Sequence, residues 1–329
     1  MVMYGKLTII LALAAVVIVA GCAQKNTGDV HAGYPGATIT DFSPIAPSIK
    51  AGTPINFYLT AQNFGYADAK NANVVLFNCG AVNKGKSSGI SGSGDYTCNK
   101  NLFEKDFDLA KPDSSLGIPG DSREADITLD TGKTAFPQGR TTQTFSARLT
   151  YDYITTGTRD VFFTTFENWK EQGGSVSIPL LNYHTDPAPL SLSINVPDAP
   201  IILNTPEQEF TVGLSIRNTG GGFAQNKELN EIKLCYDKTF VAPVKESNNK
   251  YGDFDIDDGK CLKINSGDNL RLIGLDNQYK DVDARFKTLK DPQDPSKSVI
   301  AVQDVSTFTA EVLYTYSLDK STTVTIQNS

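Results

Sequence analysis

The chain has five cysteines, and four of them are spaced for cross-linking. These four are Cys79, Cys98, Cys235 and Cys261. An even number of cysteines in an exported chain is typical of disulfides, and four cysteines allow three connectivities. A zinc site is the competing interpretation, but the sequence has no Cys-x-x-Cys pair, and its two histidines, His31 and His184, lie far from the cysteines. The pattern therefore favours disulfides over a metal centre.

The fifth cysteine, Cys22, follows a segment typical of a secretory signal. Residues 1–6 carry one positive charge and residues 7–20 form an apolar run. That run is short for a membrane span, which needs about 20 apolar residues. It ends in Val19-Ala20-Gly21-Cys22, which resembles the lipobox of bacterial and archaeal lipoproteins. The resemblance implies that Cys22 is lipidated and becomes the mature N-terminus; the alternative is an uncleaved N-terminal anchor with an incidental cysteine.

One acidic segment has a spacing that suits a cation. Asp253, Asp255 and Asp257 alternate with other residues, and alternate carboxylates can converge on a hard ion such as Ca²⁺. The segment departs from the EF-hand pattern, because Asp258 stands where glycine is needed and Ile264 stands where the bidentate glutamate should be. The three aspartates are therefore a weak calcium candidate beside the better interpretation, a solvated acidic turn. No other cofactor is predicted.

Sequence signatures of catalysis are missing. There is no Gly-x-Ser-x-Gly, no His-Glu-x-x-His and no phosphate-binding loop. A glycosidase that uses only two carboxylates needs no local motif, and Trp169, Tyr183 and Tyr66 are residue types that stack on sugars, although isolated aromatics more often serve in packing. We expect no catalytic residues, and a carbohydrate-binding or carbohydrate-processing protein is the alternative.

Composition limits the partners. The 329 residues, 40% of them apolar and 20% charged, can build real cores in about two domains. A net charge of −7 without a long basic cluster excludes nucleic acid as a partner and disfavours a second, electrostatic contact with a membrane. The expected partner is the membrane, through the lipid on Cys22, and the sequence leaves open which envelope protein or glycan is bound.

The body of the chain contains an internal repeat. An alternating apolar and polar run over residues 55–65 aligns with residues 210–220 at an offset of 155, and both copies end in Asn-x-Gly. The offset is 156 between the first cysteines (235 − 79) and 163 between the second (261 − 98), and it stays at 163 to the end. At this offset Tyr151 and Tyr153 align with Tyr314 and Tyr316, and Val161 aligns with Val324. One insertion in one loop accounts for the change.

The repeat selects one disulfide connectivity. Equivalent copies most simply form equivalent bonds, which predicts Cys79–Cys98 and Cys235–Cys261. Each bond would close a loop of about 20 to 27 residues and stabilise its domain by roughly 3 kcal/mol in the chain-entropy model.

Side-chain alternation predicts strands. The predicted strands are residues 55–61, 125–129, 282–286 and 308–316, where β-branched and aromatic residues are enriched. Residues 166–174 predict one helical turn with a glycine stop. Asn and Gly in the Asn-x-Gly turns suit backbone with positive φ. These elements predict an all-β fold of two β-sandwiches, each of about 140 residues.

Two segments of low apolar content or high proline content divide the chain. Residues 23–36 are expected to be a flexible tether, and Pro179, Pro187 and Pro189 mark a semi-rigid linker. The predicted divisions are a signal peptide (1–21), a lipidated cysteine with its tether (22–36), a first sandwich (37–180), a linker (181–187) and a second sandwich (188–329). Because each half contains its own strands and cysteine pair, we expect the halves to fold separately.

Several motifs resemble a known family. Residues 51–54, the strand after them and residues 62–76 are similar to the opening half of CARDB-type immunoglobulin-like domains, the "cell adhesion related domain found in bacteria". Residues 119–122 fit the later Pro-Gly turn of that family, and residues 217–226 match in the second copy, which has Gly-Leu-Asp-Asn at 274–277 in place of Pro-Gly. The resemblance implies tandem immunoglobulin-like sandwiches and an extracellular spacer or adhesion role.

The sequence therefore predicts a lipid-anchored, extracytoplasmic protein at the cell surface or on the periplasmic face. We expect it to act as a non-catalytic spacer, envelope component or adhesion module.

Overall fold

The chain is described by a computed structural model that covers residues 35–328, except 80–84, 88–93, 97–99, 104–105, 130–138, 176, 248–249, 266 and 274–277. The predicted signal peptide, Cys22, the tether up to residue 34 and Cys98 lie outside the described residues. Over the described part almost every element is a strand. The predicted all-β fold of two packed sandwiches is confirmed.

The first half, up to residue 175, contains ten strands and one helix among its described residues. The strands are β1 (Ala37–Pro44), β2 (Ser48–Lys50), β3 (Ile55–Asn63), β4 (Ala69–Cys79), β5 (Gly85–Ser87), β6 (Gly94–Tyr96), β7 (Lys100–Asn101), β8 (Phe107–Leu109), β9 (Ser122–Leu129) and β10 (Arg140–Thr165). The helix is α1 (Phe166–Glu171), which Thr165 caps and which Gly173 and Gly174 end with positive φ. The predicted helical turn and its glycine stop are thus confirmed.

The second half, from residue 177, contains eleven strands among its described residues. They are β11 (Tyr183–Thr185), β12 (Leu190–Asn195), β13 (Ile201–Leu203), β14 (Glu209–Asn218), β15 (Phe223–Ala224), β16 (Glu231–Cys235), β17 (Val241–Pro243), β18 (Ile256–Asp257), β19 (Cys261–Ile264), β20 (Tyr279–Thr288) and β21 (Gln303–Gln327). β11 lies inside the predicted linker, where it pairs with β10. The proline-marked segment is therefore partly strand.

Each half has an outer sheet built from its early strands. In the first half the order is β1-β3-β9, and in the second it is β12-β14-β20-β17. β3 alternates as predicted, with Ile55, Phe57, Leu59 and Ala61 buried, because successive side chains of a strand point to opposite faces. The second order corresponds to strands A, B, E and D of an immunoglobulin sandwich.

The inner sheets of the two halves are one continuous sheet of twelve strands. Its main path is β18-β19-β16-β21-β10-β4-β7. At the centre β10 and β21 pair antiparallel from Arg140↔Gln327 to Thr164↔Gln303, which is 25 residue pairs. At about 3.4 Å per residue this ladder is roughly 80 Å long, far beyond the usual strand of 5–6 residues.

The two halves exchange strand segments within this ladder. The later part of β10 lies between β21 and β13 of the second half, and the later part of β21 lies between β10 and β2 of the first half. In an immunoglobulin sandwich this position belongs to the last strand, G, of the same domain. The expectation from the sequence was that the halves fold separately; in the structure each half takes one strand segment from the other. Residues 35–328 belong to one compact body.

Candidate functional site

The centre of the ladder is a cluster of four buried tyrosines, which we call the waist. Its members are Tyr151, Tyr153, Tyr314 and Tyr316. Tyr151 pairs with Tyr316 and Tyr153 with Tyr314, while Asp152 faces Thr315 between them. Because 315 − 152 equals the repeat offset of 163, a pseudo-twofold axis passes through this pair. The aligned tyrosines of the sequence repeat therefore meet at one place, where the ring centroids of each cross-strand pair are 6.1 Å apart.

Hydrogen bonds connect three of these phenols to the turns after β3 and β14 and to the start of β12. Tyr153 Oη accepts from the Ala67 amide at 3.1 Å, and Tyr316 Oη accepts from the Gly222 amide at 2.8 Å. Tyr314 Oη accepts from the Leu190 amide at 3.2 Å and lies 2.9 Å from Thr155 Oγ1. Burial raises the pKa of Tyr153 and of Tyr316 to about 12 and raises that of Tyr314 further. The waist is a structural junction that needs neutral phenols.

Alkaline pH should therefore loosen the waist. The folded-state pKa values of Tyr153 and Tyr316 lie above the ordinary value of about 10, so their contribution to stability is complete below pH ~10 and is lost as pH rises towards 12. We expect the denaturation midpoint, followed by circular dichroism, to decrease as the pH is raised from about 9.5 to about 11.5. The double variant Tyr153→Phe/Tyr316→Phe should show a shallower fall; an identical pH slope would contradict this account.

The Asn-x-Gly turns have the predicted structural role, but the physical reason why they need glycine differs from the expected one. Asn63 Oδ1 accepts from the Gly65 amide at 2.9 Å, and Asn218 Oδ1 accepts from the Gly220 amide at 3.3 Å. Positive φ was expected at these turns, and none of these four residues has it. Glycine is required because a tyrosine hydroxyl approaches: a Cβ atom on Gly65 would lie 1.9 Å from Tyr153 Oη, and one on Gly220 would lie 2.7 Å from Tyr316 Oη.

The structure contains the predicted disulfide Cys235–Cys261. Its S–S distance is 2.00 Å, and it joins facing residues of β16 and β19. Cys79 at the end of β4 is also disulfide-bonded. Its predicted partner Cys98 lies outside the described residues, so the Cys79–Cys98 bond stays a prediction.

The acidic segment does not gather its carboxylates. Asp253 accepts from the Asp283 amide at 3.0 Å, Asp255 forms an ion pair with Lys250 at 2.9 Å, and Asp257 accepts from Tyr236 Oη at 2.8 Å. No group of three His, Cys, Asp or Glu side chains in the described residues is arranged to hold a metal ion. The three aspartates act as separate braces of the turn.

The candidate sugar-stacking aromatics lie on separate elements. Tyr66 lies in the turn after β3, and Trp169 stacks on Phe166 within α1 with centroids 5.5 Å apart. Tyr183 lies on β11, where Arg159 packs over its ring. Trp169 and Tyr183 therefore have local packing partners, whereas Tyr66 is exposed on a separate turn.

A groove in the first half combines aromatic rings with charged groups, which are the residue types that bind sugars. It has a volume of about 540 Å³ and opens between β8 and β9. Its lining consists of Phe103, Asp106, Phe107, Ser122, Arg123 and Glu124. The Phe103 and Phe107 rings meet edge to face, with centroids 4.7 Å apart. Two aromatic rings, two carboxylates and a guanidinium are groups that recognise hydroxylated ligands. No sequence spacing joins them, because the sheet topology brings Phe103, Asp106 and Phe107 beside residues 122–124.

The outer face of the central ladder is lined with hydroxyl groups in register. Both sandwich cores lie on the other face, so alternate residues of β10 and β21 point outward. Ser146 and Ser321 hydroxyls are 2.8 Å apart, as are those of Thr150 and Ser317. Thr315 donates to Asp152 at 2.6 Å. Such cross-strand pairs stabilise a sheet, and the alternating Thr142, Thr144 and Ser146 are a sequence pattern that indicates this face.

On this face, Arg148 lies in a group of side chains that combines charged groups with aromatic rings. Arg148 packs over the rings of Phe77 and Phe223, at 4.7 Å and 4.9 Å from their centroids, and binds Asp319 through two hydrogen bonds of 2.6 Å and 2.8 Å. The hydrogen bond to Asp319 raises the pKa of Arg148. Arg148 therefore links β4, β10, β21 and β15 across the junction of the two halves.

Comparisons with known proteins identify no family. No family model and no curated protein matches the chain. Among solved structures, the chain is similar to the Enterococcus faecalis MSCRAMM ACE (8% identity, 88% of this chain and 95% of that chain, TM-score 0.17) and to a partial N-terminal region of an enterococcal surface protein (9%, 83% and 88%, TM-score 0.21). A protein of unknown function from Porphyromonas gingivalis W83 also matches (10%, 78% and 84%, TM-score 0.18). Likenesses this weak carry no argument about function.

Two further features concern the compartment. The Cys235–Cys261 disulfide is typical of proteins in oxidising, extracytoplasmic surroundings. Within the described residues, no helix combines the length and apolarity that a membrane span requires.

Proposed function

We propose that this chain is a lipid-anchored surface protein that acts as a rigid, non-catalytic spacer or binding module. The observation that carries the proposal is the β10–β21 ladder, which runs through both sandwiches. Two domains joined only by a linker would move independently. Here any bend between the halves would have to break the central ladder, so the surfaces of both halves keep fixed positions over about 80 Å.

The anchor completes this proposal. Val19-Ala20-Gly21-Cys22 resembles a lipobox, and the 13 residue steps from Cys22 to Pro35 span at most about 45 Å. Such a connection holds the body close to the membrane. The resemblance of both halves to CARDB-type domains supports a spacer or adhesion role on the outer side.

Replacement of Cys22 tests the anchor. We expect Cys22→Ser to abolish lipid incorporation and to move the product from the membrane fraction to the soluble fraction, since the thiol is the acceptor of the lipid. Metabolic labelling with a lipid analogue and mass spectrometry of the N-terminus provide the measurement. Cys79→Ser, which removes a disulfide-bonded cysteine elsewhere in the chain, is the control, and it should remain lipidated. A wild-type protein that keeps residues 1–21 and an unmodified Cys22 would refute the proposal.

The groove between β8 and β9 favours carbohydrate binding as a second candidate function. Its two phenylalanines and its charged groups suit a sugar ring with several hydroxyls. A glycan-array screen of the full chain, repeated with Phe107→Ala, separates the two candidates. Binding that the substitution removes would support the carbohydrate function, whereas protein partners without any glycan signal would favour the spacer.

A further inference from the structure

A short hairpin between β8 and β9 presents apolar side chains to solvent. Leu116 is 71% exposed and Ile118 is 54% exposed. The hairpin is held by its own hydrogen bonds, because Asp113 and Ile118 exchange backbone bonds of 2.9 Å and 3.0 Å. Asp113 Oδ1 also accepts from the Ser115 amide and hydroxyl, and the hydrogen bond from Ser115 lowers the pKa of Asp113. The two aliphatic side chains are thus displayed on a preformed turn.

The hairpin emerges beside the point where the chain enters the body. Pro35 is the first described residue, and its carbonyl accepts from Tyr153 Oη at 3.4 Å. The next carbonyl, of Gly36, accepts from the Phe64 amide at 3.1 Å, and the neighbouring Asn63 amide donates to Asp121 at the base of the hairpin at 3.1 Å. Tyr66, in the same turn as Phe64, is 57% exposed. The turn that contains Tyr66 therefore contacts the chain entry, and the hairpin that displays Leu116 and Ile118 is joined at its base to the start of the same turn.

We propose that the tip of this hairpin, Leu116 and Ile118 together with Tyr66, contacts the lipid surface to which the chain is anchored. The inference rests on the proposed anchoring through Cys22. The chain entry points to the occupant: the turn that contains Tyr66 is hydrogen-bonded to Gly36, the hairpin base is hydrogen-bonded to the start of that turn, and 13 residue steps keep Pro35 within about 45 Å of Cys22. Tethering at this range gives a high effective concentration, so that weak contacts become populated.

The chemistry of the tip suits the membrane interface. Tyrosine places an apolar ring and a polar hydroxyl at the headgroup level, and aliphatic side chains enter the acyl boundary. The net charge of −7 opposes attraction to anionic lipids. The contact is therefore apolar and should persist at high salt. Because the turn is already ordered, binding costs little conformational entropy.

The only tryptophan of the chain provides a built-in distance control. Trp169 lies on α1, just beyond the end of β10 at Thr165. Thr165 lies twelve residue steps of strand beyond Tyr153 at the waist, which is about 40 Å along the ladder. Phe166, which stacks on Trp169, is 40% exposed, so the region of α1 is the competing contact surface.

The experiment uses the lipidated full chain in phosphatidylcholine vesicles with brominated acyl chains, which quench tryptophan fluorescence at short range. In the wild type, quenching of Trp169 fluorescence measures how close α1 lies to the acyl chains. The variant Leu116→Trp/Trp169→Phe reports the hairpin tip, and its fold is checked by circular dichroism. We expect quenching of Trp at position 116 to exceed quenching of wild-type Trp169 at least threefold, both at 0.1 M and at 1 M salt.

The other outcomes overturn the inference in distinguishable ways. If the protein sediments with the vesicles but the tip is not quenched, the anchor is supported and the lipid contact is refuted. Stronger quenching of Trp169 would assign the contact to α1. A concentration-dependent blue shift of the tip without lipid would assign the tip to a second copy of the chain. Failure to sediment with vesicles at all would refute the anchoring, and the lipid contact with it.

Discussion

Residues 35–176 and residues 177–329, produced separately, should each fail to reach the native fold, and mixing them should restore it. The first fragment lacks the later part of β21, which buries Val324 and Ile326 between β10 and β2. The second lacks the later part of β10 with the buried Val161 and Phe163. Each such side chain contributes about 1.5–3 kcal/mol, and the ladder bonds are lost with it. That is a large share of the 5–15 kcal/mol that stabilises a typical domain.

Unfolding under oxidising conditions provides the measurement. Near-ultraviolet circular dichroism of each fragment, of the mixture and of the intact body should show a cooperative transition only for the last two. A matched control is the intact body nicked by protease near residue 176, which should keep its fold. Separate cooperative melting of residues 35–176 alone would contradict the prediction. It would require β10 to fold back between residues 154 and 158, where Ile154 and Thr155 are poor turn formers.

Gly65→Ala should destabilise the body by about 3 kcal/mol. The added methyl group would lie 1.9 Å from Tyr153 Oη and 2.9 Å from the Pro35 carbonyl, so the waist or the chain entry would have to shift. Overpacking of this kind costs about 1–3 kcal/mol, and loss of the hydrogen bonds of Tyr153 adds to it. Chemical denaturation of the full body gives the difference in unfolding free energy.

A double-mutant cycle identifies the cause. In a Tyr153→Phe background the hydroxyl is absent, and Gly65→Ala should cost at least 1 kcal/mol less than in the wild type. Gly220→Ala is the matched substitution in the second half. It should cost less than Gly65→Ala, because its Cβ would lie 2.7 Å from Tyr316 Oη. Equal costs in both backgrounds would show that the Tyr153 hydroxyl does not explain the glycine.

The strands, the helical turn and the Cys235–Cys261 bond could be predicted from the sequence, because each depends on neighbours close along the chain or on the repeat. β3 shows this well, since the alternation of Ile55, Phe57 and Leu59 alone fixes its buried face. The disulfide followed from the equivalence of Cys235 and Cys79.

The exchange of strands could not be predicted, since pairing partners are not encoded by periodicity. Buried and more exposed positions alternate through Tyr153, Thr155 and Gly157. The same alternation is expected whether the strand runs straight or the chain reverses there. The groove residues were missed for a related reason: Phe107 and Glu124 line the same groove only because the chain folds β8 and the start of β9 next to each other.

The pseudo-twofold axis between Asp152 and Thr315 makes the exchange reciprocal, since each half gives one segment and receives one. Reciprocal pairing closes on itself, as in a symmetric dimer, whereas head-to-tail pairing would continue into a filament. A third copy of the repeat added to this chain would find no free partner for exchange, so it would have to close with its own last strand, as an ordinary immunoglobulin sandwich does. Strand exchange of this kind is therefore complete within one pair of repeats and leaves no segment to recruit another copy.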